Sequence, residues 1–169
     1  LYSSFYTDIK ISPAQGKIIT ISTDRLQRLH QLQSISAYSM VVEEKALLQN
    51  GEIQSIVYLK GVDEQYPKVS GVPGKMLRGI FDLGNAEEPR IVIGAGIENA
   101  LAIIADREIF PIVAYLFKPG VNINVIDPYQ AFSAENVAPS GTFLIQQDID
   151  NKYAITNIGF MKKMLGMAP

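Results

Sequence analysis

Residues Val41–Asp63, VVEEKALLQNGEIQSIVYLKGVD, contain two β-like runs joined by Asn50-Gly51 and closed by Gly61-Val62-Asp63. Asn-Gly between half-apolar runs is the strongest short-range hairpin signal, because both residues tolerate the positive φ that a type I′ turn demands. The spacing predicts strands over 37–49 and 52–60, with Ile53, Ser55, Val57 and Leu59 on one face and Ile56 and Tyr58 on the other. Apolar side chains on both faces require cover on both sides.

Around the hairpin the chain reads as α+β. Short strands are predicted over 8–11 and 17–21, then a helix over 24–33 capped by Ser22 or Thr23, with Leu26, Leu29, His30 and Gln33 in one stripe. Gly and Pro cluster from Asp63 to Pro89, which places a subdomain boundary near Val62. Arg90–Ile93 is a buried-type strand. Gly94-Ala95-Gly96 turns into a helix over 97–105, strands follow over 113–117, 121–126, 142–147 and 153–155, and Asp127–Pro139 is a long polar excursion. A last helix is capped by Thr156 or Asn157, carries Ile158, Met161 and Leu165 on one face, and ends at Gly166.

Charge and composition exclude several functions. With 15 basic and 17 acidic residues interspersed, the chain carries no footprint for nucleic acid. The absence of cysteine removes disulfides, thiolate metal sites and cysteine nucleophiles. The longest apolar run, Ile109–Phe117, is broken by Pro111 and is far short of the roughly 20 residues of a spanning helix. The opening residue is not methionine, and Tyr2, Phe5 and Tyr6 gather aromatics there as interfacial belts beside a membrane span do. The chain therefore reads as a piece of something longer.

Each motif that could carry chemistry is incomplete. Gly94-Ala95-Gly96 lacks the third glycine of a dinucleotide fingerprint, with Asn99 in its place, and Gly71–Lys75 has Val69 and Met76 where a phosphate loop needs glycine and a hydroxyl. Asp148, Asp150 and Asn151 begin like a calcium loop, but Lys152 and Tyr153 break it. His30 is the only histidine, Glu43 and Glu44 point to opposite faces of a strand, and no serine sits in a nucleophile elbow. The expectation is no catalytic residue, no metal and no cofactor.

Four segments, DIKISPAQGKIIT, VVEEKALLQNGEIQSIVYLKGVD, RIVIGAGIENALAI and SGTFLIQQDIDNKYAITNIGFMKKML, in this order resemble the extracytoplasmic domain of ABC transporter permeases of the lipoprotein-releasing and macrolide-exporter type, MacB-like and FtsX-like. Gly61-Val62-Asp63 and Ile91-Val92-Ile93-Gly94 are the short elements that carry the likeness, and Ile103–Pro111 departs from it. The resemblance implies a porter-like strand-helix-strand-strand subdomain over 1–62, missing its C-terminal half, and a second, loop-rich (sabre-like) mixed α+β subdomain over 63–169. It implies a non-catalytic domain at the periplasmic face of the bacterial inner membrane, which couples cytoplasmic ATP hydrolysis to release of a lipoprotein or other amphiphilic cargo. Partners implied are an ABC ATPase subunit, a second permease copy or paralogue, the lipoprotein cargo and a periplasmic carrier. By position the carrier-capturing loop corresponds to 127–139, with Asp127, Pro128, Tyr129, Gln130 and Phe132 as candidate partner-binding residues; aromatics there suit a hot spot. The competing reading is an exported ligand- or peptide-binding module unrelated to transport.

Overall fold

The computed structural model describes residues 4–118 and 131–168. The hairpin forms as expected, from β1 (Val41–Asn50) and β2 (Ile53–Val62). Its turn lies one residue further on. Asn50 pairs with Ile53, so Gly51-Glu52 is the two-residue loop, and Gly51 alone takes a positive φ, 58°. A type I′ turn needs two such residues, whereas glycine at the first central position is the II′ signature. Asn50 is drawn back into the strand because its side-chain amide donates to the Leu101 carbonyl at 3.0 Å.

The remaining elements are α1 (Thr23–Gln31), α2 (Tyr66–Val69), a 3-10 turn (Val72–Lys75), β3 (Met76–Gly79), β4 (Arg90–Gly94), α3 (Ala95–Ala100), β5 (Ile112–Phe117), β6 (Phe132–Phe143), α4 (Gln147–Asp150), β7 (Tyr153–Asn157) and α5 (Ile158–Leu165). The fold is mixed α+β. Among the described residues the strands form one sheet in the order β3–β6–β4–β7–β2–β1–β5, and β6 also pairs with β5. That last pairing brings six strands round into a ring, with β3 left outside on β6. The twelve-residue β6 makes this possible: Phe132–Val137 pairs with β5 and Ala138–Phe143 with β4.

Period-two alternation sorts the core into two layers. Ile91 and Ile93 of β4 and Ala154 of β7 face inward, with Ala46, Leu48, Val57 and Leu59, onto Phe160, Met161 and Met164 of α5. Val92 and Ile155, adjacent to them in sequence, face outward onto Phe5, Tyr66, Val72, Phe143 and Ile149. A strand buried on both sides reads as an unbroken apolar run, which is what Ile91-Val92-Ile93 is. The cap of α5 is Asn157, whose side-chain oxygen accepts from Phe160 N at 2.8 Å, and Gly166 ends the helix in the left-handed region.

Two expectations differ from the structure. No strand forms before Val41 among the described residues, since Ile9, Ile11, Ile18 and Ile19 have no neighbouring strand to pair with and stay exposed. Residues 132–139, expected as loop, are strand: 132–137 pair with β5 and 138–139 with β4, and sequence polarity does not reveal backbone pairing. Across the expected boundary near Val62, β2 pairs in parallel with β7 from Tyr58↔Tyr153 to Val62↔Asn157. The segment expected as a strand over 121–126 lies outside the described residues.

Candidate interaction face

The expected partner-binding residues divide. Asp127, Pro128, Tyr129 and Gln130 lie outside the described residues. Phe132 opens β6, 37% exposed, with its ring 4.2 Å from that of Phe117. It is one end of a row that local sequence does not show.

Cross-strand register builds that row. Tyr153 of β7 stands opposite Tyr58 of β2, and Tyr58 opposite Lys45 of β1. The β1–β5 pairing, with Ala46 opposite Leu116, brings Phe117 beside Lys45, and Phe117 stands opposite Phe132. A second row on the same outer face runs Ile56, Leu47, Tyr115, Ala134. Five strands at their usual spacing make the first row about 19 Å long. Phe117 is 53% exposed and Tyr58 41%, and Ile56 of the second row 64%, so the outer core layer stops at Tyr153 and leaves the rest of both rows open. Lys45, exposed in the middle, has no ion pair among the described residues. Chemically this is a surface for apolar and aromatic groups, with one cation available to a partner's acid.

At the covered end the electrostatics change. Lys60 is buried, its Nζ 4.1 Å from the Phe5 ring centroid and 5.3 Å from that of Tyr153, with the Glu43 carboxylate at 3.6 Å. Burial lowers the lysine's pKa; Glu43 opposes that and Lys10 adds to it. The Tyr153 phenol is pushed up to about 12, first by burial and then by the Glu43 charge and by Tyr6.

The other residues singled out in the sequence have packing roles. A Cβ on Gly94 would run into the Asp150 backbone, and one on Gly96 into the Asn151 side chain, so these glycines let α4 close on the start of α3. Asp150 accepts from Ile145 N at 2.9 Å beside an open cavity of about 300 Å³ lined by Asn99, Gln146 and Asn151, and burial raises its pKa. His30 is exposed and bonds the Tyr38 hydroxyl at 2.8 Å. Glu98, not foreseen, is buried and accepts from Ala105 N at 2.9 Å and from Thr142 Oγ1 at 2.8 Å. Its only sequence signal is an acid one turn into a short apolar helix. Among the described residues no group of three or more His, Cys, Asp or Glu is placed to hold a metal ion, and no helix is long and apolar enough to cross a membrane.

Comparison with known proteins places the fold. No protein-family model matches the sequence, and no curated protein matches it. A solved structure does: the extracellular domain of a noncanonic ABC-type transporter, YknZ, from Gram-positive bacteria, with a TM-score of 0.56 at 9% identity. The match covers 87% of this chain and 67% of that one. The chain thus has the α+β fold of an ABC transporter extracellular domain.

Proposed function

We propose that the chain is the non-catalytic extracytoplasmic domain of an ABC transporter permease. The observation that carries this reading is the likeness of fold to a transporter's extracellular domain over 87% of the chain. Cytoplasmic ATP hydrolysis, on a separate ATPase subunit, would reach this domain through membrane segments of the parent protein. A second permease copy or paralogue completes the assembly. Within the class, release of a lipoprotein or other amphiphilic cargo from the outer face of the membrane is the reading that the resemblance of Val41–Asp63 supports. The open aromatic row supports a binding rather than a chemical role; Phe132 in that row, together with Tyr129, which lies outside the described residues, is the proposed carrier contact.

The porter-like unit belongs to the same proposal. Ile9, Ile11, Ile18, Ile19 and Leu32 are 77%, 61%, 60%, 42% and 50% exposed, and α1 buries no residue. A completing strand-helix-strand segment would cover such residues. Sequencing the parent gene tests the class: about 20 apolar residues before Leu1 and three further spans beyond the completing segment are expected, and soluble flanks on both sides would reject it. Alanine at Tyr129 and Phe132 should abolish recovery of a periplasmic carrier with the intact permease; unchanged recovery rejects the loop assignment. The open row also suits an exported peptide-binding module, and soluble flanks would favour that alternative.

A further inference from the structure

The start of the described chain is held in an unusual way. Phe5 is 1% exposed, although the residues that follow it, from Tyr6 to Ile11, are all exposed. Its ring lies 4.5 Å from Tyr153, 6.4 Å from Phe143 and 5.2 Å from Tyr6, the last edge-on, with the Lys60 ammonium over its face. The preceding Ser4 carbonyl accepts from Gly71 N at 2.8 Å and from Ser70 Oγ at 3.3 Å. A Cβ on Gly71 would lie 3.2 Å from the Ser4 Cα, a tight contact that asks Ser4 to give by a few tenths of an ångström.

We propose that residues 4–6 form a clasp, pinned by Phe5, that closes the leading segment onto the outer face of the ring and can open without unfolding it. No strand pairing of the ring includes these residues, so opening releases the Ser4 hydrogen bonds, the Phe5 ring and the hydrogen bond between Tyr6 and Tyr153 while the ladders stay intact. Lys60 biases the balance toward release: closed, its ammonium lies among Phe5, Tyr153 and Glu43; open, it regains water. Apolar burial of the Phe5 ring and its cation–π contact oppose that bias. The clasp does not depend on the transporter reading. If that reading holds, it is where a membrane helix joined ahead of residue 4 would grip β2 and β7.

Native-state hydrogen exchange on the wild-type chain in low denaturant decides whether the device exists. The Gly71 amide should exchange through an opening of lower free energy than the amides of β4 and β7. Exchange of all of them in one global event would overturn the proposal. Phe5→Ala should speed Gly71 exchange roughly tenfold or more, leave β4 and β7 protected and raise the Lys60 pKa toward its ordinary 10.5. Unchanged Gly71 protection, or loss of the whole sheet, counts against it. The chain has no cysteine, and a Cβ on Gly71 would fall 3.4 Å from that of Ser4, close to the roughly 3.5–4.5 Å of a disulfide. A Ser4→Cys/Gly71→Cys pair should therefore cross-link under mild oxidant, and markedly more slowly when Phe5→Ala is added. Equal rates would show that Phe5 does not hold the clasp shut.

Discussion

The ring from Val41 to Leu165 and the arm from Asp8 to Met40 contain the same kinds of residue, yet only the ring buries them. In the ring Leu48, Leu59, Ile91, Ile93 and Phe160 have lost essentially all contact with water. In the arm Ile9 is 77% exposed and α1, despite its amphipathic stripe and its Ser22 cap, buries no residue. The difference is closure. Every strand of the ring has a hydrogen-bonded neighbour on each side and a packed layer on at least one face, so each buried methyl adds to a surface already assembled. The arm has local structure without a facing surface, and most helical stability comes from such a surface rather than from propensity. Ion pairs such as Lys17–Glu44, at 2.8 Å with a largely exposed lysine, do little to hold it.

Substitutions can break that contrast or sharpen it. The largest loss is expected from Phe160→Ala, which leaves a cavity between α5 and the inner sheet face and should cost about 3–5 kcal/mol in chemical denaturation; a value matching an arm substitution would erase the distinction. Next comes Glu98→Ala, which strands the Ala105 amide and the Thr142 hydroxyl in the interior. Its cost should be about 1–3 kcal/mol by the same measurement.

Alkaline pH gives a smaller, signed effect. The Tyr153 phenol titrates near 12 in the folded chain against 10 unfolded, so its contribution is complete below pH 10 and is lost as pH rises through about 12. Burial also raises the Tyr66 phenol, so ultraviolet titration should show more than one late tyrosine, and Tyr153→Phe should remove one late component together with its share of the alkaline stability loss. Smallest of all is Ser22→Ala. It removes the side-chain oxygen that accepts from Arg25 N and should fray α1 by NMR, while moving the ring's melting free energy by no more than about 0.5 kcal/mol. A larger shift would mean that the arm and the ring melt together.

The hairpin, the doubly buried β4 and the Gly166 end of α5 could be read directly from the chain, and the cap of α5 to within Thr156 or Asn157. Each depends on contacts within about ten residues: a glycine free to take positive φ, an unbroken Ile-Val-Ile run, an amide side chain that caps its own helix. The interaction face was only partly legible. Phe132 stood out as an aromatic in a polar stretch, but its neighbours Phe117, Lys45, Tyr58 and Tyr153 come from four other strands, and long-range register leaves no mark in local pattern. Likewise nothing near Phe5 in the sequence announces that it will be buried, since its partners lie at Lys60, Phe143 and Tyr153. The sequence by itself determined the alternation, the turns and the caps, because those are decided by backbone sterics and nearest neighbours. Closure of the ring by β6, the open aromatic row and the clasp at Phe5 were decided only in the tertiary structure, where strands distant along the chain meet and compete for the same apolar surface.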